Sequence, residues 1–560
     1  MVDKEVRNGK FEIIALLVIL SVVFIFYLKT AIPNHIVFGD EGFHSRISQL
    51  MAENKEYPTF FGTDLDKTAF ARPSLFHVTQ AGFLSLFGLN ELVIKIFTPF
   101  IAVMLGLVVF ILTKKLYNSE TGLLASILLV TLPSFITYSV LFYTDMLFVF
   151  YATLSILLFL LSTKENNMKY LILSAVFAGL AFLTKIIGII FLVFIPIIFV
   201  YMLIKEKEIP KIKIFRKYFL FGLVFLIIIS PFILRNMYYY QAPLCDIRLR
   251  FFEDSKCSIS TFSAQYQFPP RSGEGAGTES SLFRFGLINF ANFAYGEWSQ
   301  DTNRFFVYKI LSAFGDQFTK ITGLSLTGLF FVFGIFGGIV TLAMKRDELS
   351  IILLVVLSLL PIIIYQSSHR VEDTAREILL WAPIFSIIGA IYWSEIYRSL
   401  NKVYKYLGLF LLLFVLIVGL QSLTTKLSSI EPIKQFSPMF FQACDWVKTN
   451  LPEDSVLMTF WGYRAGYNCE RNVSPGYADI RLSDNPQYID SVAQQFGITH
   501  FFIQKFSISQ DASRESYSVA FVQLLENNPQ YFEKVYENGP SLQECLNAGG
   551  CDGNIIYKVV

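Results

Sequence analysis

Phe38-Gly39-Asp40-Glu41-Gly42-Phe43-His44 places two adjacent carboxylates and an imidazole just past the end of the first apolar run of the chain. Charge beside lipid is unfavourable and marks a functional site. A carboxylate held at a membrane edge can take a proton from an attacking hydroxyl, which is general-base chemistry. The competing reading of Asp40 is structural. Phe43, Ile47, Leu50 and Met51 recur at helical spacing, Pro58 follows them, and Asp40 stands where it would cap such a helix. That helix is too short to span a bilayer and is expected to lie in the interface with its apolar side towards lipid.

Further on come Arg72-Pro73 and His77, then Gly88-Leu89-Asn90-Glu91 with Lys95 and Pro99, then Tyr143-Thr144-Asp145, then Gly179-Leu180-Ala181-Phe182-Leu183-Thr184-Lys185. In that order the series resembles the GT-C glycosyltransferases of the protein O-mannosyltransferase and aminoarabinose-transferase type, which take a sugar from a polyprenyl phosphate. The resemblance runs over about the first 190 residues. A second match lies in the charged loop Ser367-Ser368-His369-Arg370-Val371-Glu372-Asp373-Thr374-Ala375-Arg376. Arg376 with Pro383 resembles an Arg-Tyr…Pro pattern, although Glu377 stands in place of the tyrosine.

The resemblance implies roles for these residues. Asp40 is the expected base and Glu41 its orienting partner or an acceptor ligand. Arg72, Lys185 and Arg376 are expected at the donor phosphate, where a guanidinium suits a forked grip on phosphate oxygens. His44, His77, Glu91, Asp145 and Arg370 are further cavity candidates. One direct displacement would invert the anomeric centre. A single lipid phosphate requires no cofactor, and if a divalent cation binds, Asp40, Glu41, His44 and Asp145 are its expected ligands.

The elements that must position these groups follow from hydropathy. The 560 residues are 54% hydrophobic and only 16% charged, with a mean hydropathy of +0.52, which is a polytopic helical membrane protein with room for one folded domain besides. The net charge of +2 is no argument for nucleic acid. The run from Phe11 to about Tyr27 is followed by no small-residue cleavage site and reads as a retained first span. The stretch 74–87 is short of the ~20 residues a crossing needs and is expected to be interfacial or re-entrant. The remaining spans are expected at 91–113, 121–140, 145–163, 170–184, 186–204, 219–237, 321–344, 349–366, 378–396 and 407–423, about eleven in all with the first. This puts 18 Lys and Arg in the 49 residues of the inward segments and 11 in the 139 residues of outer loops 34–90 and 238–319. That asymmetry places the N-terminus in the cytosol and the chain after 423 outside. The same parity requires a turn at Thr184-Lys185, with Lys185 at the outer face.

Beyond a transmembrane catalytic module of 1–423, residues 424–560 read as an extracytoplasmic α/β domain. Helices are expected around 444–448, 488–496 and 517–527, and strands at 455–460, 499–503 and 554–559. Cys245, Cys257, Cys444, Cys469, Cys545 and Cys551 all fall in segments assigned to the outside, where disulfides persist. Neighbours pair most simply as 245–257, 444–469 and 545–551, one of 15 connectivities.

The expected partners are a polyprenyl-phosphate-linked sugar, a protein, lipid or glycan acceptor, and membrane lipids. The absence of a cleavable signal and of a retention tail fits a prokaryotic plasma membrane, with an endoplasmic-reticulum membrane second. The rival function is a transporter or flippase of a lipid-linked or small anionic solute, but its ionisable groups would gather near the midplane, often in two repeated halves. An inactive scaffold of the same fold is the third possibility.

Overall fold

A computed structural model of the chain describes residues 2–33, 35–36, 40–55, 73–191, 196–198, 200, 211–240, 326–345, 347–358, 379–404, 406–434, 437–459, 462–475, 483–509, 517–547 and 551–560. Arg72, Arg370, Arg376, Cys245 and Cys257 lie outside them, as does most of loop 238–319.

The membrane part is a helical bundle. Its helices are α1 (Val2–Ala31), α2 (Glu41–Asn54), α3 (Leu75–Phe87), α4 (Glu91–Leu116), α5 (Ser119–Thr131), α6 (Pro133–Val140), α7 (Thr144–Glu165) and α8 (Met168–Thr184). After these come α9 (Lys211–Tyr240), α10 (Leu326–Lys345), α11 (Glu348–Ser358), α12 (Ala382–Val403) and α13 (Leu407–Lys434). Among the described residues, six helices are long and apolar enough to cross a membrane, or seven if the bent pair α5–α6 is one span. Local chemistry starts several of them: the Asn90 side chain accepts from the Val93 amide at 3.0 Å and Asn118 from the Thr121 amide at 3.0 Å. The buried Tyr27 hydroxyl donates to the Val130 carbonyl at 2.7 Å and ties α1 to α5.

The described helices correct three expectations. The span expected over 121–140 is two helices bent by 63° at Leu132-Pro133. Proline has no N–H to continue the ladder and pushes the residue before it into extended backbone, and Leu132 sits at φ −69°, ψ 126°. The helix expected to stop at 423 runs on to Lys434. Most telling, the apolar side of α2 does not face lipid. Phe43 and Ile47 are buried with Phe440, Ala443, Cys444 and Val447 of the C-terminal domain. By contrast α3, 13 residues long, leaves Val78, Leu86 and Phe87 exposed. The turn expected at Thr184-Lys185 is present: α8 ends at Thr184, Lys185 is extended at φ −149°, ψ 131°, and a 3-10 turn, Ile186–Ile190, folds back.

The C-terminal domain contains α14 (Pro438–Asn450), β1 (Val456–Thr459), α15 (Gly462–Asn468), β2 (Asn472–Pro475), α16 (Pro486–Gln495) and β3 (His500–Gln504). It continues with the short pair β4 (Ile508–Ser509) and β5 (Tyr517–Ser518), then α17 (Val519–Asn527), β6 (Phe532–Asn538), α18 (Leu542–Asn547) and β7 (Asn554–Val559). The main sheet has the order β2-β1-β3-β7-β6; β2, β1 and β3 are parallel, and β7 and β6 antiparallel. Elements α15, β2, β4, β5, β6 and α18 were not expected from the sequence. Cys444–Cys469 and Cys545–Cys551 are bonded, the pairing that neighbours suggested.

Candidate active site

Asp40 holds the N-cap position of α2, and the His44 amide donates to its carbonyl at 3.0 Å. Its side chain makes no capping bond, because Asp40 has φ −75° and ψ −7° where a capping residue is extended. Asp40 is half-buried, and with no capping bond from its side chain the capping reading of Asp40 fails. Glu41 is 1% exposed and accepts the Phe142 amide at 2.8 Å. A carboxylate in the first turn of a helix is also favoured by the helix dipole.

Phe142 stands three residues before Asp145, which opens α7. Asp145 is likewise 1% exposed, and its carboxylate accepts the Lys185 ammonium at 2.6 Å. Two carboxylates from separate elements therefore converge on one end of α7. Burial of a charge requires a partner, and the break in the helix at Lys185 is what lets the ammonium reach Asp145.

Behind Glu41, His44 Nδ1 lies 2.9 Å from His77 Nε2, both rings buried and edge-on to Phe43 or Phe76. Helices α2 and α3 run side by side, and at their far ends Lys55 donates to the Ser85 hydroxyl at 3.1 Å. Glu91 is set apart: it pairs with Lys95 at 2.8 Å and accepts the Ile36 amide at 3.3 Å, which anchors the chain leading into Asp40. The sequence candidates thus divide. Glu41, Asp145 and Lys185 gather at the start of α7, Asp40 stands next to Glu41 at the head of α2, His44 and His77 meet each other, and Glu91 holds the incoming chain.

Sequence reasoning missed Arg464 of α15. Burial pulls its guanidinium below the ordinary range, and the nearby Tyr143 and Glu41 push it back up, which puts this cation beside the Glu41 corner. No local pattern pointed to it.

The donors proposed for a divalent ion go to different partners: Glu41 to an amide, Asp145 to an ammonium, His44 to an imidazole. Among the described residues no three His, Cys, Asp or Glu side chains gather to hold a metal. Asp40, the fourth of the expected donors, stands next to Glu41 in the chain, and no step below passes through a metal.

Residues 71–234 match the family model described as dolichyl-phosphate-mannose-protein mannosyltransferase. No curated protein matches the chain by sequence. Among solved structures, ArnT from Cupriavidus metallidurans in the apo state is similar at 12% identity, covering 99% of this chain and 98% of that one with a TM-score of 0.59. ArnT bound to undecaprenyl phosphate gives 12% identity, coverage of 98% and 98%, and the same TM-score of 0.59. The archaeal oligosaccharyltransferase AglB from Archaeoglobus fulgidus, in complex with an inhibitory peptide and a dolichol-phosphate, gives 15% identity over 87% of this chain and 69% of that one, with a TM-score of 0.53. The chain has the GT-C fold of these membrane glycosyltransferases, with a C-terminal sheet domain.

Proposed function

We propose that this GT-C chain is a glycosyltransferase that moves a hexosyl or pentosyl group from a polyprenyl phosphate to an acceptor hydroxyl at the extracytoplasmic membrane face. The observation that carries the reading is the convergence of Glu41, Asp145 and Lys185 at the start of α7, with Asp40 next to Glu41 in the chain and α2 packed against the C-terminal domain. A lipid tail in the bilayer would bring its phosphate to that level. The Asp40 carboxylate accepts the proton of the attacking hydroxyl, the oxygen displaces the phosphate at the anomeric carbon, and the centre inverts. An ammonium has three donors. Lys185 spends one on Asp145 and offers the others to the charge growing on the leaving phosphate. Arg72 and Arg376 are proposed beside it. Purified protein in detergent, given polyprenyl-phosphate-linked hexoses and pentoses with acceptor extract, is expected to release polyprenyl phosphate. A transporter has no reason to cleave that bond, so retained donor binding with no release across a broad donor panel would favour that reading instead.

Orientation belongs to the same proposal. The end of the bundle away from the site collects Lys115, Lys164 and Lys217: Lys164 bonds the carbonyls at the end of α4, and Lys217 bonds the Asn166 side chain at 2.6 Å. By the positive-inside rule that end is cytosolic. In a chain with Cys245 and Cys257 replaced by serine, Lys169→Cys is expected to resist a membrane-impermeant thiol reagent in intact cells while Gln487→Cys reacts. Labelling at 169 from outside would reverse the assignment.

A further inference from the structure

We propose that Arg464, carried by the C-terminal domain, is a positioning residue of the transfer site: it holds the acidic corner of Glu41 and Tyr143 and couples docking of that domain to the 141–143 segment. The inference rests on the reading of this corner as the transfer site.

The placement of α15 is what carries it. Ala465, next to Arg464, is fully buried against Phe43 and Ile47 of α2, about one turn from Glu41. Tyr467 packs on the cluster of Ile36, Phe76, Phe97 and Phe142. At the end of α15 the Asn468 amide donates to the Ile36 carbonyl at 2.9 Å and to the Arg464 carbonyl at 3.0 Å. The next residue, Cys469, is bonded to Cys444 of α14. This short helix is therefore gripped along its length between the sheet domain and the membrane part, and its one cation interacts with Tyr143 and Glu41.

The chemistry fits a positioning role. Glu41 is 1% exposed, so its charge persists only where neighbours compensate it, and the Phe142 amide is a partial compensation. A guanidinium stays charged under such burial where an ammonium would readily give up its proton. With Glu41 held, Phe142 is held, and three residues later Asp145 begins α7 with Lys185 on its carboxylate. Arg464 touches neither lipid nor acceptor in this scheme; it acts through Glu41.

The same interface contains a control. Arg46 of α2 interacts with Glu53 and, across the interface, with Glu470, Arg471 and Tyr467 of the C-terminal domain, whereas Arg464 interacts with Tyr143 and Glu41. Arg464→Gln and Arg46→Gln each remove one cation from the docking surface, and only the first removes a partner of Glu41.

Two measurements on the purified full-length protein decide the matter. Hydrogen exchange of a peptide covering 141–147 is expected to speed up at least tenfold in Arg464→Gln and to stay at the parental rate in Arg46→Gln. This readout stands whether or not the chain transfers sugar. In the transfer assay, Arg464→Gln is expected to lower kcat at least tenfold with donor KM nearly unchanged, Arg464→Lys to recover part of it, and Arg46→Gln to remain within about twofold of the parent. Because the two groups act as a unit, Arg464→Gln added to Glu41→Gln should lower kcat little further. Arg464→Met keeps the aliphatic stem and repeats both measurements if Arg464→Gln is recovered poorly. Parental exchange at 141–147 in the Arg464 variants, or losses that simply multiply with those of Glu41→Gln, would overturn the proposal. A parent protein inactive in transfer but with the expected exchange pattern would overturn the proposed function and leave the coupling intact.

Discussion

Asp40→Asn is expected to yield a folded protein that binds its polyprenyl-phosphate sugar and transfers it about 10²–10⁴-fold more slowly, the usual loss on removing a positioned general base. The fold should tolerate the change for two reasons. The Asp40 side chain makes no bond to the helix amides, so no cap is lost. Asparagine is in any case as good as aspartate at that position. What the amide cannot do is accept a proton. Initial rates of polyprenyl phosphate release, with donor-lipid retention measured on the same preparation, separate catalysis from binding. Full activity in Asp40→Asn would remove Asp40 as the base. Glu41→Gln should behave differently, since the amide oxygen can still accept from Phe142 while the charge facing Arg464 is gone.

The second large effect is expected at Lys185. Lys185→Ala breaks the pair with Asp145, which is 1% exposed, and removing one partner of a buried ion pair costs about 3–5 kcal/mol. Thermal unfolding in detergent should therefore drop sharply. The double variant Asp145→Leu, Lys185→Met removes both charges at similar volume and should regain most of that stability, because a buried ion pair exchanged for apolar groups is often neutral. Donor-lipid retention should stay low in the double variant, since no ammonium remains to meet the phosphate. A double variant that is stable and retains donor like the parent would leave Lys185 as a partner of Asp145 alone.

The sequence by itself determined whatever depends on neighbours along the chain. Hydropathy marked the long apolar helices, and α3 was legible as too short to cross. The break at Lys185 was legible because it follows from parity and from a polar residue in an apolar run. The strands β1, β3 and β7 were likewise readable from short β-branched and aromatic runs. The bend at Pro133 was also within reach, since a proline inside an apolar stretch signals a break, and an unbroken span there was too generous a reading.

Only the tertiary structure decided which surface each face would meet. The spacing of Phe43 and Ile47 says that one side of α2 must leave water, but lipid and a protein core are equally apolar, so the pattern cannot choose between them. The partners of buried charges were hidden for a related reason. Glu41 meets the Phe142 amide 101 positions along the chain, and any backbone amide is chemically equivalent to any other. His44 and His77 were both named from the sequence, but their contact at 2.9 Å needed α2 and α3 to lie side by side. Arg464 carries no local mark at all. Its place beside Glu41 depends on the docking of α15, through Ala465 onto α2, through Asn468 onto Ile36 and through Tyr467 onto the cluster around Phe76 and Phe142, and that is a property of the assembled fold.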